Sequence, residues 1–186
     1  MKNNSSISIV KCVPRFRCKN ESDLLSFLRG LQSKNNFKMF LANAMPNNAK
    51  KLLMNGGADL DTDTIKVALL MTNTTADTEV DNITFLTSYT TLDECDASGY
   101  ARQTLASKTV TEDTSNDRGV FDAADVSFTG LGGNATRAIQ GALIFKFVST
   151  DANSPPLFFV DFTSDAPSNS TQIDIPWSAS GLLYLS

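Results

Sequence analysis

The sequence predicts a mostly β protein, an antiparallel β-sandwich of seven or eight short strands preceded by a short α-helix, with a basic N-terminal arm. Three observations carry that expectation. Short runs of aliphatic, aromatic and β-branched residues recur along the chain, each bounded by clusters of Gly, Asp, Asn, Ser and Pro, which is the pattern of strands joined by turns. One stretch ahead of them, residues 46–54 (PNNAKKLLM), carries helix formers and runs into Gly56 and Gly57, which can take the positive φ that ends a helix. No unit repeats at the roughly 20–50-residue period of solenoids and propellers, so the strands belong to one layered body.

In chain order, Asp59, Asp61 and Asp63 alternate with small or polar residues in a turn, and residues 65–70 (IKVALL) follow as a buried strand. Residues 73–82 are polar. Residues 83–92 (ITFLTSYTTL) fit a strand, a short helix or an ordered loop, and the pattern leaves the three open. Residues 93–99 form a turn, residues 100–111 (YARQTLASKTVT) an exposed strand rich in Thr and Val, and residues 112–119 a second turn. Val120-Phe121 and Val126-Ser127-Phe128 read as two strand pieces around a bend or bulge at residues 122–125 (DAAD). After a glycine-rich break at residues 129–134, residues 138–148 (AIQGALIFKFV) present Ile144, Phe145, Phe147 and Val148 around the single Lys146, as a central strand does. Pro155 and Pro156 cannot donate to a ladder, which places the next strand just beyond them, at residues 157–162 (LFFVDF). A turn at residues 165–170, a strand at 172–177 with Ile173 and Ile175 alternating against polar neighbours, and a last strand at 181–185 complete the body.

At 186 residues and 41% hydrophobic, the chain is of a size to bury one ordinary core, which divides it into an arm, residues 1–41, and a β-sandwich body, residues 42–186. No apolar run approaches the roughly 20 residues that cross a bilayer as a helix, so a soluble chain is expected. The apolar patch at Ile7 to Val10 is too short for a signal-peptide core. Charge is segregated. Residues 1–51 hold ten Lys or Arg against Glu21 and Asp23, a charge of +8, whereas the remainder holds six basic and eighteen acidic residues, a charge of −12. An acidic body repels nucleic acid directly, while a basic arm suits an acidic partner surface. Within the arm, residues 20–32 (NESDLLSFLRGLQ) place Leu24, Leu25, Phe27, Leu28 and Leu31 on one face of a short amphipathic helix. A functional arm and a start site set too far upstream, with Met39 or Met45 as the alternative starts, are both open readings.

The chain contains no histidine, which removes the commonest general base and the commonest transition-metal ligand together. Cys12, Cys18 and Cys95 have no CxxC spacing and read as free thiols, with a Cys12–Cys18 pair as the alternative. Asp59, Asp61 and Asp63 match the first ligands of a calcium loop, but Thr64 stands where glycine is required and Leu70 where a glutamate closes the site. An acidic turn is the better account. The TGLGG run at residues 129–133 lacks the Lys and the following helix of a phosphate loop. Trp177, Tyr184, Tyr89 and Tyr100 are candidates for a sugar-binding face, against core packing for most of the Phe residues. Asn73, Asn82, Asn134 and Asn169 match the glycosylation acceptor pattern, which matters only in a secreted eukaryotic chain. No catalytic, cofactor-binding or metal-binding residues are assigned.

From about Ala42 to Ser186 the chain resembles a family of small structural proteins of tailed-bacteriophage virions. The resemblance is carried by LANAMPNNAKKLLMNGG (residues 41–57), DTDTIKVALL (61–70), the Asn116 to Arg118 turn, VFDAADVSFTGL (120–131), LIFKF (143–147), SPPLFFVDF (154–162) and the closing IPWSASGLLYLS (175–186). It does not extend to residues 1–38. It implies a capsid decoration or cement subunit on the virion surface, made in the bacterial cytoplasm, without enzymatic activity or cofactor. Its implied partners are the major capsid protein or other virion subunits and further copies of itself as a dimer or trimer, with no membrane and no direct nucleic-acid contact. Basic residues of the arm and its Leu24 to Leu31 face would then anchor the body to an acidic shell or a neighbouring copy. The competing readings are a tail or head-fibre component that binds a host receptor or glycan, and, more remotely, a glycan-degrading enzyme that relies on paired carboxylates.

Overall fold

The structure is a computed structural model and describes residues 44–186; the arm, its expected helix at residues 20–32, Cys12 and Cys18 lie outside the described residues. The body is mostly β and antiparallel, with nine strands among the described residues and one helix, α1 (Asn47–Met54), ahead of them. The helix begins directly after Pro46 and stops at Asn55, and Gly56 takes φ +72° in the turn that follows. Gly57 does not adopt a positive φ.

Four strands form the main sheet: β1 (Ile65–Met71), β2 (Gln103–Thr104), β6 (Ile139–Lys146) and β7 (Pro156–Ala166), in the order β2-β1-β6-β7. A three-stranded sheet joins β3 (Thr109–Asp113), β4 (Arg118–Asp122) and β9 (Leu183–Leu185), and β5 (Val126–Thr129) pairs with β8 (Gln172–Ile175). The expected β-sandwich with a preceding helix is therefore the architecture found.

Both faces of the main sheet are covered, which explains why β1 and β6 read as continuous apolar runs. Alternate residues go to opposite sides. Ile65, Val67, Leu69, Ala142, Ile144 and Phe158 face a core shared with Ala49 of α1, Phe121 of β4, Phe128 of β5 and Ile173 of β8. Ala68, Leu70, Leu143, Phe145 and Phe159 face a second core closed by Ile83, Leu86 and Tyr89. Each fully buried Phe or Leu contributes about 1.5–3 kcal/mol relative to an exposed one.

Several expectations change at this level. Residues 83–92, left open between strand, helix and loop, are an irregular cover over the main sheet with one 3-10 turn, Leu86–Ser88. The single strand expected over residues 100–111 is two, β2 and the start of β3, separated by a kink at Ser107 with φ +51°. The turn expected at residues 112–119 is shorter, because Glu112 and Asp113 pair with Gly119 and Arg118 in the β3–β4 hairpin. Val120-Phe121 and Val126-Phe128 are two strand pieces, as expected, but the break between them carries them into different sheets, since β9 pairs with the first and β8 with the second. β7 begins at Pro156 and runs to Ala166, so a Pro does sit in the ladder, at the edge of the sheet where its missing N–H costs least.

Candidate functional site

Among the described residues, a groove of about 390 Å³ lies at the outer part of β7 and along β8. Its origin is a defect in the ladder. Gly141 pairs with Asp161 but Ile139 pairs with Ala166, so residues 162–165 of β7 bulge away from β6 without partners there. Gly141 is required at this point: a Cβ on it would collide with the Val160 carbonyl oxygen and the Phe159 ring. Among the described residues β8 pairs with β5 along one edge and has no strand partner on the other.

Successive residues of both strands line the groove, and because neighbouring strand residues point to opposite faces, the backbone edges themselves face it. Val160, Phe162, Ile173, Ile175, Trp177 and Leu182 make its apolar wall. The half-buried Trp177 is held in place, its indole N–H donating to the Ala124 carbonyl at 3.0 Å and its backbone N–H to Asp125 Oδ1 at 2.8 Å. Among the described residues, Asp161 and Asp174 are the charged groups that line it. Hydrogen bonds from Ser127 and then Gln172 hold the Asp174 carboxyl below its ordinary value, so it is anionic at neutral pH. The groove is apolar with a negative rim, and among the described residues the strand edges that face it are unpaired.

The residues singled out in the sequence are scattered. Asp63 accepts a hydrogen bond from the Asp59 N–H at 2.8 Å and pairs with Lys146 Nζ at 2.7 Å, while Lys108 donates to the Asp61 and Asp63 carbonyls. The acidic turn is thus closed on itself and on two lysines. Among the described residues there is no cluster of three or more His, Cys, Asp or Glu side chains suited to a metal ion. The TGLGG run is a turn in which Gly130 takes φ +72°.

The four candidate aromatics do not share a face. Tyr89 is buried in the second core, Tyr184 lies on β9 beneath the Arg118 guanidinium at 4.7 Å, and Tyr100 stacks on Phe128; Trp177 alone lines the groove. Cys95 is buried and free, and burial pushes its thiol pKa up, away from reactivity. Asn73, Asn82, Asn134 and Asn169 are all exposed.

Sequence reasoning missed two features. The first is the groove, although the alternation Val160-Asp161-Phe162 and Ile173-Asp174-Ile175 signals two strands with matched apolar and acidic faces. The second is an ionic network at Arg102, whose guanidinium donates to both oxygens of Glu94 at 2.7 and 2.6 Å and to both oxygens of Asp151 at 2.5 and 2.8 Å. Tyr100 donates to the same Glu94 at 2.7 Å and accepts from the Leu69 N–H, tying the network to β1. This cluster fastens loops to the sheet. No helix among the described residues is long and apolar enough to cross a membrane.

Comparison with protein-family models, with curated proteins and with solved structures gives no match.

Proposed function

We propose that this chain is a structural subunit of a tailed-bacteriophage particle, a decoration or cement protein that binds the assembled head and stabilises it. The observation that carries the reading is the ordered series of segments resembling such proteins, from residues 41–57 to residues 175–186. Those segments coincide with α1, β1, β4 with β5, β6, β7 and β9, so the resemblance follows the elements that build the fold and not one exposed loop.

A β-rich body closed by short turns suits the task. Adhesion to a seam between shell subunits requires a rigid surface and no chemistry, and a protein that binds only the assembled state stabilises that state by mass action. The strongly acidic body, −10 over residues 44–186, favours contact with basic surface on its partners and disfavours packaged nucleic acid. The test is a quantified gel of purified particles. A decoration subunit is present in many copies, in fixed ratio to the major shell protein; a handful of copies per particle would instead indicate a tail or head-fibre component, and absence would reject both.

A further inference from the structure

The chain contains one Asn-Gly pair, Asn55-Gly56, and the fold sets it where α1 ends. Asn55 lies just past the last helical residue, and among the described residues Asn55, Gly56 and Gly57 are all exposed. An asparagine followed by glycine is the pair in which a backbone most readily attacks its own side chain, because no Cβ hinders the approach of the next nitrogen. The site is open as well. A Cβ built on Gly56 would meet nothing within 4 Å.

One contact favours the attack and one opposes it. The Gly57 N–H donates to Asn55 Oδ1 at 3.0 Å, which holds the side chain over the turn and puts a donor on the oxygen that takes up negative charge when Cγ is attacked. Against this, Asn55 has ψ 8° and its N–H donates to the Lys51 carbonyl at 3.1 Å. A five-membered ring between Cγ and the Gly56 nitrogen closes only after ψ turns well away from that value. Helix ends open at little cost, and this end is lightly held: of the residues of α1 Ala49 alone is buried, and Met54 is 83% exposed.

We infer that Asn55 is a site of spontaneous deamidation in the folded protein, converted through a succinimide to aspartate and isoaspartate. The Gly56 nitrogen gives up its proton to solvent hydroxide and bonds to Asn55 Cγ; the Cγ–Nδ2 bond breaks and the amide nitrogen leaves as ammonia. Water then opens the ring. Attack at Cγ gives aspartate, whereas attack at the main-chain carbonyl carbon gives isoaspartate, whose backbone runs through Cβ and Cγ and is one methylene longer. Nothing is oxidised or reduced, and the inference stands apart from the virion reading.

Both products act on α1. A carboxylate replaces a neutral amide beside the helix C-terminus, where the peptide dipoles already present negative charge. The added methylene enters a tight turn. A Cβ on Gly57 would come within 2.7 Å of Leu52 Cδ2, the Ala58 N–H returns to the Leu52 carbonyl at 3.2 Å, and the Gly57 carbonyl accepts from Lys146 Nζ at 3.0 Å. A longer backbone cannot keep all of these holds, so the isoaspartyl form loosens the end of α1.

The test incubates the full-length folded chain and maps conversion by peptide mass spectrometry, with isoaspartyl methyltransferase reading the rearranged product. Among residues 44–186, Asn55 is expected to convert first, and at least about tenfold faster at about pH 8.5 than at about pH 6, since the attacking nitrogen must lose its proton. Gly56→Ala should slow conversion at least about tenfold by placing a Cβ at the attacking residue. Asn55→Gln, which keeps the glycine and the backbone, should abolish it, because the corresponding ring is six-membered. Circular-dichroism melts of both variants report that they fold. A folded chain that stays intact at Asn55 while the same chain in urea converts there overturns the inference, as does a rate indifferent to Gly56→Ala. Isoaspartyl protein separated by chromatography should lose amide-exchange protection at the end of α1, and unchanged protection there overturns the structural consequence.

Discussion

Replacing Arg102 by Met gives the sharpest prediction about what holds this body together. Its guanidinium makes four hydrogen bonds to two carboxylates, so the substitution leaves Glu94 and Asp151 facing each other without a cation. Breaking a fully buried ionic group in this way costs about 3–5 kcal/mol. Here the side chains are 21% exposed at Arg102, 23% at Glu94 and 40% at Asp151, and water reaches the abandoned charges. Discounting for that exposure leaves about 2–3 kcal/mol. At the roughly 2–4 °C per kcal/mol typical of a protein of 150–250 residues, the midpoint of thermal unfolding should fall by about 4–12 °C.

The assay is a circular-dichroism melt at pH 7, repeated at high salt. Arg102→Lys should recover only part of the loss, because an ammonium cannot fork to two carboxylates at once. Adding Glu94→Gln and Asp151→Asn to the Met variant should recover most of it, since no uncompensated charge remains. A Met variant that melts within a degree of the wild type refutes the reasoning. So would a loss that disappears at high salt, because a part-buried network is screened far less than a surface pair.

Three further outcomes follow from the same physics. Tyr89→Phe should hold or raise the melting midpoint, because the buried Tyr89 hydroxyl has no hydrogen-bond partner among the described residues and an unsatisfied polar group costs about 1–3 kcal/mol; a clear loss would reveal a partner for it. Gly141→Ala should destabilise the body and disturb the groove, since the added methyl meets the Val160 carbonyl oxygen; a melt and amide-exchange protection at β6 and β7 report it, and an unchanged protein would contradict the close approach. Asp151 is held below its ordinary pKa by Arg102, and Asp96 by hydrogen bonds from Thr136. A carboxyl depressed in the folded state contributes stability above its unfolded value, and that contribution is lost as pH falls through the folded one. Stability should therefore be level near neutrality and decline below the ordinary aspartate value of 3.8, as read by urea midpoints against pH; a decline on raising pH from 5 to 7 would contradict the assignment.

The elements legible in the sequence were those whose burial is local in origin. β1 and β6 are apolar on both faces, so their runs stand out against polar turns, and Ile173 and Ile175 of β8 alternate as a one-faced strand must. The helix stop was readable because Gly56 needs its positive φ. What was not legible depends on partners distant in the chain. Ile83, Leu86 and Tyr89 point inward at three-residue spacing from an irregular segment, which matches neither strand period nor a sustained helix. β3 carries Glu112 and Asp113 into a hairpin where Asp113 pairs with Arg118, and charge at exposed positions disguised it as a turn. The separation of β4 from β5 follows from β9 and β8, both at least about forty residues further along, and the β7 bulge exists only relative to β6. The groove inherits that dependence. Its residues were visible one by one, as Trp177 was, but their meeting was not.

The proposed virion role stands most directly on where this protein resides, which electron microscopy of intact particles purified from cells that produce it measures. The expected result is density matching the β-sandwich body, repeated at equivalent seams over the head. Particles whose heads are complete while this chain is wholly missing from them would contradict it.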